Sequence, residues 1–362
     1  MRLLYLYPEP WTGRREQEAQ ALSTCVALAQ SGVEVTFVTA GSRREWRQEL
    51  KEIAGRTEEP GLRLITLVSG VGPWRSATIF FSHFKIWLSR EASFDAGYVI
   101  HLQAGAMLRS FELPYLYEAH EVRAETPQKS PERHDRLHEL EKQVLAGASW
   151  RVATSKALAT ALRAHYVLPD DFELVPNAGF PPVPHSLAAA DGPFVCCGLD
   201  ADGLDLIIAA AREERVPLKI FGGPMAEGRR AVGRLETRSV PWPPPGELPQ
   251  ALAGARAGIF FIDPTRPSGR YACPLELFDY ARCGLPVIIS ALPSLPSLDV
   301  GSWCTQVEKS TKEAWAEAMG QYRYRPVQGE TARAWAGVHT WSQRAQVLTR
   351  VLAQRPKGGR GR

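Results

Sequence analysis

Apolar residues in this chain come in short runs, and between the runs lie longer stretches with apolar positions at helical spacing. Leu3 to Tyr7 reads as a buried strand. Glu16 to Gln30 reads as a helix with Ala19, Leu22, Val26 and Ala29 on one face. Gly32 stops it, and Val33 to Ala40 forms the next strand. The same alternation continues. Strands are predicted for Leu62 to Leu67, Tyr98 to His101, Tyr115 to Glu118, Trp150 to Ser155 and Phe172 to Val175. Helices are predicted for Arg43 to Thr57, Trp74 to Arg90, Leu137 to Leu145 and Lys156 to Ala164. Phe180 to Pro193 is rich in Pro and Ala, has no period and reads as a linker. A second series follows: strand Phe194 to Cys197, helix Leu204 to Glu214, strand Leu218 to Phe221, short helix Leu248 to Ala253 and strand Gly258 to Ile262. Beyond a further helix and strand, Trp303 to Val307 reads as strand, Lys312 to Tyr322 as helix, and His339-Thr340-Trp341-Ser342 opens a last helix to Leu352. Strands alternating with helices predict an α/β protein with two parallel sheets. The expected boundaries are a first domain over 1–179, a linker over 180–193, a second domain over 194–338, a terminal helix over 339–354 and a basic tail over 355–362.

One segment is unusually informative. Arg270 to Ser290, RYACPLELFDYARCGLPVIIS, reads as loop, helix, tight turn and strand. Pro274 suits a first helical turn, where a missing N–H costs nothing. Leu275, Leu277, Phe278 and Ala281 form an apolar face, and Glu276, Asp279 and Tyr280 are the polar positions. Gly284 is placed to end the helix in a left-handed cap, and Pro286 blocks its continuation. Val287, Ile288 and Ile289 then make a buried strand. A helix N-terminus behind a loop of small residues offers amides to a phosphate, here from Ala272, Cys273 and Leu275. Asp279, one turn further in, has the chemistry to accept hydrogen bonds from ribose hydroxyls. By pattern alone, an ordinary βαβ helix with a solvated acid fits as well.

Other candidates lie where strands end, which in an open α/β sheet is the ligand crevice. LYEAHEV places His120 and Glu121 after a strand, with Arg123 just beyond, and YVIHLQ places His101 after the one before it. A satisfied structural histidine is the plainer reading of each. Gly13 precedes the first helix, and Gly222-Gly223 follows a strand of the second domain, where backbone can approach a nucleotide closely. Trp242 in the rigid run PWPPP can stack on a base or simply pack. Asp200-Ala201-Asp202 mimics a metal-binding DxD pair, but it is read as an ordinary loop. The aromatic helix from Trp74 to Arg90 reads as a core helix, with an interfacial helix at a lipid headgroup boundary as the alternative.

Composition narrows the class. With 362 residues, 44% of them hydrophobic and 23% charged, the chain has the size and make-up of a two-domain globular protein. The net charge of +4 is mild, and no nucleic-acid motif or repeat is present. Neither domain carries the glycine fingerprint of a dinucleotide-dependent dehydrogenase. Six cysteines show no metal-ligand spacing. Cys25, Cys196 and Cys197 fall in predicted core elements, so a reducing cytoplasm is the expected compartment. Neither a signal peptide nor a spanning helix is predicted, and a basic tail leaves room for peripheral contact with the inner membrane face.

The segment around Pro274 resembles the donor-site helix of the glycosyltransferase family 4-like enzymes, whose pattern is roughly small-Pro-Leu-Lys-Leu-Phe-Glu-Tyr-Met-Ala-x-Gly-x-Pro-Val-Val. Pro274, Leu275, Leu277, Phe278, Tyr280, Ala281, Gly284, Pro286 and Val287 match, and Asp279 stands where the family has its ribose-binding Glu. The resemblance extends from Leu3 to Leu352. It includes Thr12-Gly13 in place of a Gly-Gly loop, the histidines at 101 and 120, Val175-Pro176-Asn177-Ala178-Gly179 for "Val-Pro-Asn-Gly", and the Thr-Trp that opens the last helix. It implies a GT-B fold, two Rossmann-like doubly wound domains facing across a cleft. The activity it implies is retaining, metal-independent transfer of a sugar from a nucleotide-sugar to an acceptor hydroxyl, in glycan or glycoconjugate biosynthesis, with no cofactor. It places His120 against the transferred sugar, and His101, Glu121 and Arg123 on the acceptor side. The acceptor is a lipid, a polysaccharide or a small molecule.

The chain also departs from that pattern. The family's Val-Gly-Arg and following Lys-Gly, whose cations hold the diphosphate, are replaced by Cys197-Gly198-Leu199-Asp200 and Asp202-Gly203. Tyr271 takes the place of the first acid of the family's pair. Arg266 and Arg270, in the loop before the key helix, are the expected replacement cations, with Arg229 and Arg230 as further candidates. A catalytically degenerate protein that binds a nucleotide or a protein partner is the alternative. A nucleotide-sugar epimerase on the same architecture is a third reading, and it would act without any acceptor.

Overall fold

The computed structural model describes residues 1–12, 16–41, 46–70, 77–168, 172–197, 201–221, 238–240, 243, 246–322 and 329–354. By internal contacts the chain divides into two units, Met1–Pro176 with Trp341–Arg362, and Asn177–Thr340.

The first unit runs β1 (Arg2–Pro10), α1 (Glu16–Gln30), β2 (Glu34–Ala40), α2 (Trp46–Ala54), β3 (Leu62–Leu67), α3 (Ala77–Leu88) and β4 (Ala96–Val99). It continues with α4 (Leu102–Ser110), β5 (Tyr115–Ala119), α5 (Pro131–Gly147), β6 (Trp150–Ala153), α6 (Lys156–Tyr166) and β7 (Phe172–Leu174). Its seven strands are ordered β3-β2-β1-β4-β5-β6-β7, and neighbours pair in parallel. In the second unit β8 (Phe194–Cys197), α7 (Ala201–Glu213), β9 (Leu218–Phe221), β10 (Arg238–Val240), α8 (Leu248–Leu252), β11 (Ala257–Phe260) and α9 (Pro267–Arg270) come first. Then follow α10 (Leu275–Arg282), β12 (Val287–Ser290), β13 (Cys304–Val307), α11 (Lys312–Tyr322) and α12 (Gly329–Gly337). Its six strands repeat the scheme as β10-β9-β8-β11-β12-β13, again parallel. The last helix, α13 (Trp341–Ala353), belongs to the first unit and packs along α1. In each sheet the strand order reverses beside the first strand, so each unit has a topological switch point, between β1 and β4 and between β8 and β11.

The buried strands explain why the apolar runs are nearly continuous. Phe194 and Cys196 pack on one face of β8 with Ile207, Ile259 and Trp315, while Val195 and Cys197 pack on the other with Leu277, Tyr280 and Ile289. A parallel sheet covered on both faces has no polar side to show. All six cysteines are free and buried, and burial pushes the Cys196, Cys283 and Cys304 thiols up to about 12. Gly284 has φ +71°, as its place after α10 requires. Phe80, Phe81 and Phe84 are buried, so one face of α3 packs in the core, while Ile86 on it is half exposed. Among the described residues no helix is long and apolar enough to cross a membrane.

Several elements differ from their sequence expectation. β1 continues through Pro8 and Pro10. Beyond Tyr7 it pairs only with β2, through a register shift, and a proline is tolerated where no neighbour needs its N–H. β4 stops at Val99, and His101 becomes the extended N-cap of α4, a helix the pattern does not signal. α5 starts at Pro131, where the Ser130 side chain accepts from the Arg133 amide. β10, α9 and α12 have no counterpart in the sequence expectation, the first two being only three and four residues long. α7 begins at Ala201, so Asp202 lies in a helical first turn rather than a loop. Tyr280, a polar position by pattern, is buried with its hydroxyl donating to Ile259 O at 3.3 Å.

Candidate functional site

In the first unit β4 and β5 carry a polar cluster around Glu118. The burial pattern of β5 is continuous, so this carboxylate lies in the core at 1% exposure. Its Oε1 accepts from His120 Nε2 at 3.0 Å, from Gln20 Nε2 at 3.2 Å and from Arg344 Nη2, and its Oε2 accepts from the Tyr98 hydroxyl. Arg344, on α13, also donates from Nε to Pro176 O at 2.9 Å and from Nη1 to Thr24 Oγ1 at 3.1 Å. Burial alone would raise the Glu118 carboxyl. The Arg344 guanidinium, His120 and Tyr98 outweigh it and hold the group below the usual carboxylate range. Burial works against the charge on Arg344, and Glu118 restores it. His120 follows directly on β5, and its side chain is 17% exposed.

Around it, His101 Nδ1 lies 3.6 Å from Glu9 Oε1 at the end of β1, and its ring meets Tyr7 edge-on at 4.9 Å. Glu18 on α1 accepts from the Thr12 amide and hydroxyl, both at 2.8 Å, which fixes the chain just before Gly13. Gly13 itself lies outside the described residues. Arg123 Nη1 and Glu121 Oε1 pair at 2.5 Å. The short turn carrying Arg123 is held by Glu141 of α5, which accepts from the Arg123 and Ala124 amides at 3.0 Å each and from the Tyr166 hydroxyl at 2.5 Å. Glu141→Ala would leave two amides and a hydroxyl unpaired in the core. It is expected to destabilise the protein by about 2–4 kcal/mol, against about 1 kcal/mol for Tyr166→Phe. Urea unfolding of the two variants checks this, and equal small losses would mean that water replaces the carboxylate.

In the second unit the loop after β11 leads into α10. Asp263 Oδ1 accepts from the Thr265 amide at 2.9 Å and its hydroxyl at 2.7 Å. Arg266 Nε lies 3.6 Å from Asp263 Oδ2 and its side chain is 52% exposed. Arg270 donates to Thr265 O at 3.3 Å and lies 5.9 Å over the Tyr271 ring. Both expected cations therefore sit in one compact loop at the β8/β11 switch point, with Arg266 already facing an acid. Pro274 is the N-cap of α10 rather than its first helical residue, at φ −69° and ψ 134°. The Ala272 amide, expected to face a phosphate, donates to Gly269 O at 3.2 Å. Asn177 donates from Nδ2 to Cys273 O at 2.5 Å, and the Ser294 hydroxyl donates to Ala272 O, so the backbone leading to Leu275 is clamped. Asp279 accepts from Arg282 Nε at 3.1 Å. Burial pushes the Asp279 carboxyl up, and Arg282 offsets only part of that. Gly198, Gly222, Gly223 and Trp242 lie outside the described residues, as do Leu199, Asp200, Arg229 and Arg230. Among the described residues no group of three or more His, Cys, Asp or Glu side chains is placed to hold a metal ion.

Residues 16–178 match the family described as "Glycosyl transferase 4-like domain". That match lies almost wholly within the first unit and spans less than half of the chain. Solved structures extend the likeness over the whole chain. Sucrose-phosphate synthase (tll1590) from Thermosynechococcus elongatus is 16% identical and matches with a TM-score of 0.71 over 97% of this chain and 98% of its own. Anabaena Alr3699/HepE in complex with UDP-glucose is 14% identical, with a TM-score of 0.69 over 97% and 99%. The lipopolysaccharide outer core galactosyltransferase WaaB is also 14% identical, with a TM-score of 0.67 over 97% and 99%. No protein with a curated description matches the chain by sequence. The chain has the GT-B fold.

Within the first unit the sequence points to His120, His101, Glu121 and Arg123, and the structure places all four at or just after the ends of β4 and β5. It does not point to Gln20, Glu118 or Arg344. A signal for Glu118 is present, since it is a charged residue inside a strand otherwise composed of Tyr, Leu and Ala. Arg344, 226 residues away in sequence, gives none.

Proposed function

We propose that this chain transfers a sugar from a nucleotide-diphosphate donor to an acceptor hydroxyl with retention of anomeric configuration and without a protein-bound metal. The observation that carries the reading is the match over nearly the whole chain to a structure solved with UDP-glucose, together with a family match in the first unit. In this reading the second unit takes the nucleotide, with Asp279 at the ribose and Arg266 and Arg270 at the diphosphate. The first unit takes the acceptor, with His120 against the sugar and His101, Glu121 and Arg123 on the acceptor side. No covalent nucleophile is needed, because the leaving diphosphate can take the acceptor proton on the same face of the sugar. The protein's task is to stabilise the charge growing on that leaving group. The acceptor is a hydroxyl of a lipid, a polysaccharide or a small molecule.

Calorimetric titration with UDP, GDP, ADP and TDP, each without added metal, tests the donor half. Micromolar binding of one of them is expected. Arg266→Ala with Arg270→Ala should then weaken it by about tenfold or more, as loss of charge-assisted bonds to a phosphate does. Undiminished binding in the double variant would reject these two residues as the replacement cations. Absence of binding by the parent protein would favour a catalytically degenerate GT-B protein, a reading supported by the missing Arg/Lys pair after β8 and by Tyr271 in place of an acid.

A further inference from the structure

We propose that Glu118 and Arg344 are positioning residues that hold His120 as its Nε2–H tautomer, so that Nδ1 is the nitrogen offered to substrate. The proposal rests on the reading of His120 as the group that meets the sugar. An ionised carboxylate only accepts hydrogen bonds, so a ring nitrogen 3.0 Å from Glu118 Oε1 must carry the proton. The other nitrogen of a neutral imidazole is then an acceptor, and the bond made on one side decides which one it is. Among the described residues His120 Nδ1 has no hydrogen-bond partner, while Nε2 has the carboxylate at 3.0 Å and, further off, the Gln20 amide nitrogen at 3.4 Å. That amide itself donates to Glu118 Oε1 at 3.2 Å, and the shorter, charge-assisted bond decides the proton.

What makes the tautomer certain is the charge state of Glu118, and Arg344 sets that. The guanidinium donates to the same Oε1 that accepts from His120, with both charged side chains at 2% exposure or less. Arg344 is unable to swing away, because its other two nitrogens are bonded to Pro176 O and Thr24 Oγ1. Gln20 donates to the same Oε1 and Tyr98 to Oε2, so the carboxylate is held from both oxygens. The tether to Pro176 has a further meaning. Pro176 is the last residue before the chain leaves the first unit, and Arg344 lies one helical turn after Trp341, where it returns. The cation that fixes the histidine is thus held by the segment that leaves for the donor-binding unit. A carboxylate that orients an imidazole through its far nitrogen is a general device for fixing a ring's tautomer. Here the device is supplied from the far end of the sequence.

The test is long-range proton–nitrogen correlation on the full chain labelled with ¹⁵N-histidine, the His120 signals being assigned by their loss in His120→Gln. At neutral pH the parent protein should show two well-separated ring nitrogens, Nε2 protonated and Nδ1 not. In Arg344→Met the two are expected to converge as the tautomers mix. If Arg344→Met does not fold, Glu118→Gln keeps the volume and should give the same convergence. A parent His120 protonated on Nδ1, or a separation that survives in a folded Arg344→Met or Glu118→Gln, overturns the proposal. Where sugar transfer is measurable, Arg344→Met should lower kcat by about tenfold or more with little change in donor KM, since the donor's nucleotide contacts are untouched. Absence of turnover in the parent protein would count against the transferase reading and leave the tautomer result to decide this one.

Discussion

Arg344→Met is expected to destabilise the first unit by about 3–5 kcal/mol, because it leaves the Glu118 carboxylate buried beside neutral donors with no cation. Since the Pro176 carbonyl and the Thr24 hydroxyl also lose their partner, the effect should reach the β5 sheet and the packing of α13 on α1 together. Global unfolding of a two-unit chain does not by itself say which unit has lost stability. Amide exchange in β4 and β5 reports the loss where it occurs. Pairing Arg344→Met with Glu118→Leu removes both charges, and the double variant should lose less than the two singles summed, by about 1–3 kcal/mol. Simple additivity would mean that the pair is not the organising contact. The pH dependence has a definite sign. The folded Glu118 carboxyl lies below its unfolded value, so its contribution is complete above the unfolded pKa and is lost as pH falls towards the folded one. The stability difference between the parent and Glu118→Gln should therefore be flat above about pH 5 and narrow below about pH 4.

The same pair shows why sequence patterns locate elements better than they locate contacts. Periodicity places most strands and helices to within a few residues, because both sheets are covered on both faces and their strands are uninterrupted apolar runs. Gly284, Pro286 and the apolar face from Leu275 to Ala281 define α10 from sequence alone, since each acts locally. The missed elements have local reasons too. α9 spans four residues and β10 three, too short for a period to show. The apolar Tyr98, Val99 and Ile100 draw His101 into a predicted strand, and nothing in HLQAG announces a helix start. The candidate site is legible wherever it consists of a residue at the end of a strand. It is illegible where it depends on partners far apart in sequence. Gln20 and Thr24 lie on the helix face that pattern alone would give to solvent, and both are buried because Glu118 and Arg344 are there to meet them. The same is true in the second unit, where Asn177 clamps Cys273 across 96 residues.

Gly269→Ala should disturb the loop between β11 and α10. A Cβ at this position would stand 2.0 Å from Asp263 O, 2.8 Å from Asp263 C and 3.2 Å from Ile262 Cγ1. The first two are backbone atoms, so no rotamer change relieves the clash, and the Asp263 carbonyl must retreat by about 1 Å or more to regain ordinary contact. That carbonyl accepts the Arg266 amide at 3.2 Å, and the Arg266 carbonyl in turn accepts the Gly269 and Arg270 amides at 3.0 and 2.9 Å. The displacement therefore passes to both expected phosphate cations and to Ala272, whose amide donates to Gly269 O just before α10. Overpacking of this kind costs about 1–3 kcal/mol in stability. If the loop is the diphosphate site, affinity for the bound nucleotide should fall about tenfold or more, since two cations and a helix N-terminus shift together. Gly337→Ala is the matched control, because its Cβ would meet only Pro182 Cγ, at an ordinary 3.8 Å. Thermal unfolding and nucleotide calorimetry on both variants separate the outcomes. Lost stability with unchanged affinity would place the nucleotide away from this loop. Lost affinity in Gly269→Ala alone would tie donor binding to the turn between Asp263 and Tyr271, which carries Arg266 and Arg270.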